Sequence, residues 1–313
     1  MAAVPIHDGR RLLTHHLTAD IDLNGAEIQS LLKLAFQVKA YPRKYAKALN
    51  GRSICLLFEK PSLRTRITFE LAIKQTGGDA VFCEGRIGAR EPLKDVARNM
   101  DGWVDAIVAR TFDHSTIEQL AECASIPVIN ALSDLYHPCQ ALADMFTLKE
   151  YFGDLQGLSL AFVGDGNNVA HSLMLCSAQL GVNFSLATPP AYKPDPRIVE
   201  VALRWARTTG ASLRITDDPV EAVTDARAVY TDVWASMGQE DEAAERRRYF
   251  VPYQVDGKLM QKAMPDAVFM HCLPAKRGEE VTDGVIESSQ SIVFTQAENR
   301  LHLQKALLIM MLA

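Results

Sequence analysis

The stretch SICLLFEKPSLRTRITFELAIKQTGGDAVFC, residues 53–83, decides the fold. Its opening, SICLLF (53–58), is an apolar run with the length of a buried strand. After Ser62 the pattern turns helical, with Leu63, Ile67 and Leu71 on one face, and Gly77-Gly78 ends it. DAVFC (79–83) then reads as a second strand. The same alternation continues on both sides. A helix is expected at 25–40, where Ile28, Leu31, Leu32 and Phe36 share a face. A polar, Gly-containing stretch (83–92) leads to a helix from Leu93, a strand at 105–110, a helix at 115–124 and a strand at 127–132. Helical spacing resumes from His137 to Tyr151, and Gly153 and Gly157 mark a break. LSLAFVG (158–164) opens a second alternating run, with strands expected at 184–188, 213–216, 228–234, 267–272 and 291–296. A last helix from about Glu298 is expected to return to the first half.

Strand–helix alternation predicts an α/β chain with parallel sheets. The expected organisation is two domains, each a parallel β-sheet flanked by helices. The first covers 1–140 plus the C-terminal helix (about 298–313), the second 150–297. The length of 313 residues agrees with about two domains at roughly 150 residues each. Apolar residues at 48% and charged residues at 23% exclude wholesale disorder, collagen-like repeats and coiled coil. The formal net charge is −5, which argues against a nucleic-acid footprint but leaves room for a local anion site. No apolar run has the length of a membrane span, and the N-terminus shows no signal-like pattern. The six cysteines form no C-x-x-C pair, which suits a reducing cytoplasm. The charge run EDEAAERRRYF (240–250) reads as a solvated helix face.

Six motifs carry chemistry. SLRTR (62–66) stands where a strand gives way to a helix, so Ser62 can cap the helix while its N–H groups, Arg64 and Thr65 cradle a phosphate; an ordinary capped helix has the same look. HPCQ (137–140) places His137 and Gln140 one helical turn apart, where an imidazole N–H and an amide NH₂ can polarise one carbonyl oxygen. GDGNN (164–168) follows a strand but lacks the third glycine of a dinucleotide fingerprint, leaving either a nicotinamide site or a tight turn presenting Asn167 or Asn168. DVWASMG (232–238) puts Asp232 at a strand's C-terminal end, where it can cap or pair with a ligand ammonium. HCLPA (271–275) holds Cys272 at another strand tip, with His271 expected on the opposite face. ENR (298–300) adds Arg300.

Taken in this order and with these separations, the motifs resemble the ornithine carbamoyltransferases, over nearly the whole chain from about residue 10 to 313. The resemblance implies two α/β domains flanking a cleft, one for carbamoyl phosphate and one for the amino acid. It also implies a homotrimer or a multiple of it, with no cofactor and no metal. By resemblance, Ser62, Leu63, Arg64 and Thr65 form the phosphate loop, and Arg110 bridges phosphate and carbamoyl oxygen. His137 and Gln140 contact the carbamoyl group. Asn168, Asp232, Ser236 and Met237 contact ornithine, and Cys272, Leu273 and Arg300 close on the reacting centre. Arg110, His137, Cys272 and Arg300 are the expected catalytic set. The sequence departs from the family at Leu63, where a hydroxyl residue is common. It also departs in 83–92, which lacks a histidine and leaves Arg86 as the candidate contact to a neighbouring subunit. Asp232 suits an α-ammonium and so favours free ornithine, with an acylated ornithine or a diamine as the alternative acceptor. A Rossmann-type oxidoreductase and a non-catalytic relative are the readings from other classes.

Overall fold

The computed structural model describes residue 12, residues 14–235 and residues 240–313, and it divides the chain into two compact units. Unit 1 comprises 1–146 and 298–313, unit 2 147–297. Among the described residues no helix is long and apolar enough to cross a membrane.

In unit 1 the elements run α1 (Gly25–Ala40), β1 (Ser53–Phe58), α2 (Leu63–Gln75), β2 (Asp79–Glu84), α3 (Leu93–Trp103), β3 (Ala106–Arg110), α4 (His114–Cys123), β4 (Val128–Leu132) and α5 (Pro138–Phe152), whose last turns belong to unit 2. The four strands form a parallel sheet in the order β2-β1-β3-β4. Cys55, Leu57, Ile107 and Ala109 pack on one side of it with Ile117 and Leu120 of α4. The chain proceeds outward one way from β1 to β2 and the other way from β3 to β4. The order therefore reverses between β1 and β3, the place where open α/β sheets bind ligands beyond the strands' carboxyl ends. The β1–α2 turn and the tip of β3 flank that point.

Unit 2 continues with β5 (Ser159–Val163), α6 (Asn168–Leu180), β6 (Asn183–Ala187), α7 (Pro196–Thr209), β7 (Leu213–Thr216), α8 (Pro219–Val223), β8 (Ala228–Thr231), α9 (Ala243–Phe250), α10 (Gly257–Met260), β9 (Val268–His271) and α11 (Asp283–Ile286). Its parallel sheet has the order β7-β6-β5-β8-β9, so its reversal lies between β5 and β8. The turns after those two strands carry GDGNN and Asp232. The last helix, α12 (Val293–Leu312), starts in unit 2 and contributes to unit 1 from Glu298 onward. There Asn299 accepts a bond from Lys39 of α1 at 2.8 Å.

Two expectations need correction. The run SIVFTQ (291–296) is not a strand: only Ser291 makes a bridge, to Phe269, and α12 already begins at Val293. A six-residue apolar run carries no periodicity that separates strand from buried helix. Gln296 nonetheless serves the sheet edge, its side-chain oxygen accepting from the His271 N–H at 2.9 Å. The charge run 240–250 is not wholly a solvated face either. Arg246 is buried: it donates to Asp165 at 2.7 Å, to the Trp234 carbonyl at 3.1 Å and to Glu242 at 3.0 Å. Burial pushes the Asp165 carboxyl up to about 6 even against the pull of Arg246. Replacing Arg246 with methionine leaves that carboxylate buried without its cation. The expected loss is about 3–5 kcal/mol of stability, read as a lowered thermal midpoint, and an unchanged midpoint would refute it.

Candidate active site

The candidate phosphate loop is built as its residue types dictate. Ser62 is the N-cap of α2, with extended backbone and its Oγ accepting from the Thr65 N–H at 3.2 Å. Arg64 is half-buried in the first turn, and Thr65 is buried. The Leu63 side chain is 70% exposed, so at that position only the backbone is available to an anion. Arg300 reaches across 235 positions of sequence to donate to Thr65 Oγ1 at 2.7 Å. Arg110, at the end of β3, is buried, and the strand register shifts between Ala109 and Arg110.

His137 is buried where α5 begins. Burial, then the charges of Arg300 and Arg110, hold its imidazole well below the usual 6.5. It is therefore neutral at and above pH 6.5, an N–H donor and not a cation. Gln140 is fully buried one turn on. Its Nε2 donates to Asp144 Oδ1 at 2.8 Å. Its Oε1 is buried with no hydrogen-bond partner among the described residues.

Two residues of this half were missed. Lys60 is buried, lies 4.5 Å from the Phe112 ring, and has its ammonium pKa lowered first by burial and then by Arg110. The signal was a charge directly after an apolar strand. Asp144 reads in sequence as one polar position of a helix. Arg86 is exposed on the loop after β2, 5.9 Å from Phe112. Glu59 pins that region by accepting from the N–H groups of Ile87 and Phe112 at 2.9 and 2.8 Å.

In unit 2, Asp232 is buried just past β8. Its Oδ2 accepts from Asn167 Nδ2 at 3.0 Å, and its Oδ1 from the Cys272 thiol at 3.0 Å and the Val233 N–H at 2.8 Å. Asn167, not Asn168, caps α6, accepting from Val169 and Ala170. Asn168 is buried beside it. Gly166 is required by packing: a Cβ there would stand 2.4 Å from Pro194 N and 2.7 Å from the Tyr192 carbonyl. The close-approach glycine thus serves the protein's own backbone, the opposite of what a pyrophosphate site needs. Ser236 and Met237 lie outside the described residues.

His271 is not a base for Cys272. Its Nδ1 accepts from the Leu273 N–H at 2.8 Å and its Nε2 faces buried Glu280 at 3.1 Å, so both nitrogens are engaged. This clamp holds Leu273 at φ +55°, a conformation costly for a branched side chain. The chain turns at Cys272, so one candidate ligand atom each of Asp232, His271 and Cys272 falls within 4.8 Å of the others. Each of the three side chains is already hydrogen-bonded within the protein.

The chain is similar to known proteins along nearly its whole length. Residues 15–150 match the aspartate/ornithine carbamoyltransferase carbamoyl-P binding domain, and residues 156–311 match the Asp/Orn binding domain of the same description. An ornithine carbamoyltransferase of Thermococcus kodakarensis is 50% identical, over 93% of this chain and 94% of its own. The solved ornithine carbamoyltransferase of Pyrococcus furiosus superposes with a TM-score of 0.94 at 47% identity, covering 96% of this chain and 98% of that one. An acetylornithine transcarbamylase complexed with acetylcitrulline is more distant, at 32% identity and a TM-score of 0.86, with 96% and 100% covered.

Proposed function

The chain belongs to the aspartate/ornithine carbamoyltransferase family, and from that premise we infer its reaction: the carbamoyl group of carbamoyl phosphate passes to the δ-amine of L-ornithine, giving L-citrulline and phosphate, a step of arginine biosynthesis. The observation that carries the carbamoyl phosphate half is the convergence on one pole of unit 1. Arg300 is bonded to Thr65 of the phosphate loop, and Arg300 and Arg110 are the two charges that depress His137. Two cations, a hydroxyl, a helix N-terminus and a neutral imidazole suit a dianionic acyl phosphate with a polarisable carbonyl. In unit 2 the carboxylate of Asp232, oriented by Asn167 and Cys272, suits the ornithine α-ammonium. It favours free ornithine over an acylated one, whose neutral amide carries no charge to pair.

The roles follow. Ser62, Arg64, Thr65 and the backbone of Leu63 hold the phosphate. Arg110, His137 and Thr65 stabilise the oxyanion that develops when the neutral amine attacks the carbamoyl carbon. The C–N bond forms, the C–O bond to phosphate breaks, and the leaving phosphate accepts the amine proton. No protein base is required, in keeping with a Cys272 thiol that lies against Asp232 and a His271 that is fully engaged.

Purified protein given carbamoyl phosphate is expected to carbamoylate L-ornithine and not N-acetyl-L-ornithine, putrescine or L-aspartate. At subsaturating ornithine the rate should rise nearly tenfold per pH unit from pH 6.5 toward 9, because the amine has a pKa near about 10.4. His137, already neutral across that range, adds no step. A flat profile, or turnover of another acceptor, would overturn the assignment.

The assembly is a homotrimer or a multiple of it, and the protein works in the cytoplasm. An apolar stripe supports the assembly. Leu63, Ile67 and Leu71 line one face of α2 at 70%, 44% and 37% exposure, and Val81 of the edge strand β2 is 48% exposed. A second copy of the chain would cover it, and would then stand beside the phosphate loop and Arg86. Light scattering should give three times the 34.6 kDa chain mass or a multiple, and Ile67→Glu should dissociate the assembly. A monomeric wild type refutes this.

A further inference from the structure

We propose that Asp144 is a positioning residue that selects the carbamoyl group by fixing which pole of the Gln140 amide faces the substrate. The argument rests on the reaction assigned above. A primary amide offers an acceptor oxygen at one end and two donors at the other, and the two ends have the same shape. Shape alone therefore cannot decide which end meets the ligand.

Asp144 decides it. Both residues are fully buried on α5, one helical turn apart. The Gln140 Nε2 donates to Asp144 Oδ1 at 2.8 Å, so the NH₂ is the end turned toward Asp144. The carbonyl oxygen, Oε1, is left at the other end, buried and with no hydrogen-bond partner among the described residues. A buried acceptor in that condition costs free energy until something donates to it. The carbamoyl NH₂ is such a donor, while the neutral N–H of His137, one turn earlier, is a donor for the carbamoyl oxygen. The two side chains of H-P-x-Q thus read opposite ends of the carbamoyl group. An acyl phosphate with methyl in place of NH₂ fits the same space and leaves Oε1 unsatisfied. Sites built to bond an N–H reject analogues that lack it far more strongly than apolar pockets reject isosteres.

The test compares carbamoyl phosphate, acetyl phosphate and inorganic phosphate by calorimetric titration of the full-length protein. Wild type should bind carbamoyl phosphate more tightly than acetyl phosphate. Asp144→Asn, whose amide no longer dictates the orientation, should lower that ratio by about tenfold, the factor that 1.4 kcal/mol represents. The ratio should approach that of Gln140→Met, with phosphate affinity unchanged. Should Asp144→Asn fail to fold, Asp144→Leu fills the same space and carries the same expectation. A wild type that does not discriminate overturns the proposal. So does an Asp144 variant that keeps the wild-type ratio, or one that weakens all three ligands in parallel, the mark of a purely structural role. The titrations need no turnover. A wild type that discriminates through Asp144 but does not carbamoylate ornithine would overturn the assigned reaction and leave this inference standing.

Discussion

Arg64→Ala is expected to weaken carbamoyl phosphate binding by about 100-fold or more. Charge-assisted hydrogen bonds contribute about 1.5–3 kcal/mol each, and a guanidinium can make two in parallel to one phosphate. Arg64 stands in the first turn of α2, where the helix N-terminus already favours an anion, so its cation and the backbone N–H groups are expected to act on the same oxygens. Alanine is a better helix former than arginine, and the Ser62 cap uses the Thr65 N–H and not the Arg64 side chain. The fold should therefore stay intact. The measurement is the dissociation constant of carbamoyl phosphate beside the thermal midpoint. Near-normal affinity in a folded variant would remove Arg64 from the phosphate loop.

Asp232→Asn is expected to reduce kcat/KM for ornithine by about 100-fold, or roughly 2.7 kcal/mol. The substitution keeps shape and removes charge. The carboxylate is buried and preoriented by Asn167, Cys272 and the Val233 N–H, so an ammonium meets it without reorganisation cost. Carbamoyl phosphate affinity should change by less than about threefold, because its groups lie in unit 1. The opposite pattern, ornithine use retained and carbamoyl phosphate binding lost, would reverse the two half-site assignments.

Most of the fold was legible because strand–helix alternation is a local signal. SICLLF, DAVFC and LSLAFVG became β1, β2 and β5 within a residue or so of the expected bounds. Legibility failed where a segment's partner, not its own periodicity, sets its state. SIVFTQ is apolar enough for a strand, yet it is the approach and first turn of a twenty-residue helix. Leu63, Ile67 and Leu71 do share a face, but the buried face of α2 is the one bearing Thr65, Phe69, Ala72 and Ile73. Arg246 looks like one more charge in a charged run until Asp165, 81 positions earlier, is found opposite it.

Residue chemistry in sequence order was sufficient to single out SLRTR, the pair His137 and Gln140, the acid after β8 and the thiol after β9 as candidates. Each is a property of a few neighbouring positions at an element boundary, and boundaries are written in local composition. Three matters were out of reach of local composition. The strand orders put the β1–α2 turn beside the tip of β3, and GDGNN beside Asp232. Burial beside Arg110 and Arg300 makes His137 a neutral donor. The Gln140 Nε2 donates to Asp144 Oδ1 while its Oε1 is buried with no hydrogen-bond partner among the described residues. All three depend on distances and desolvation between groups that only folding brings together, and neither quantity exists along an extended chain.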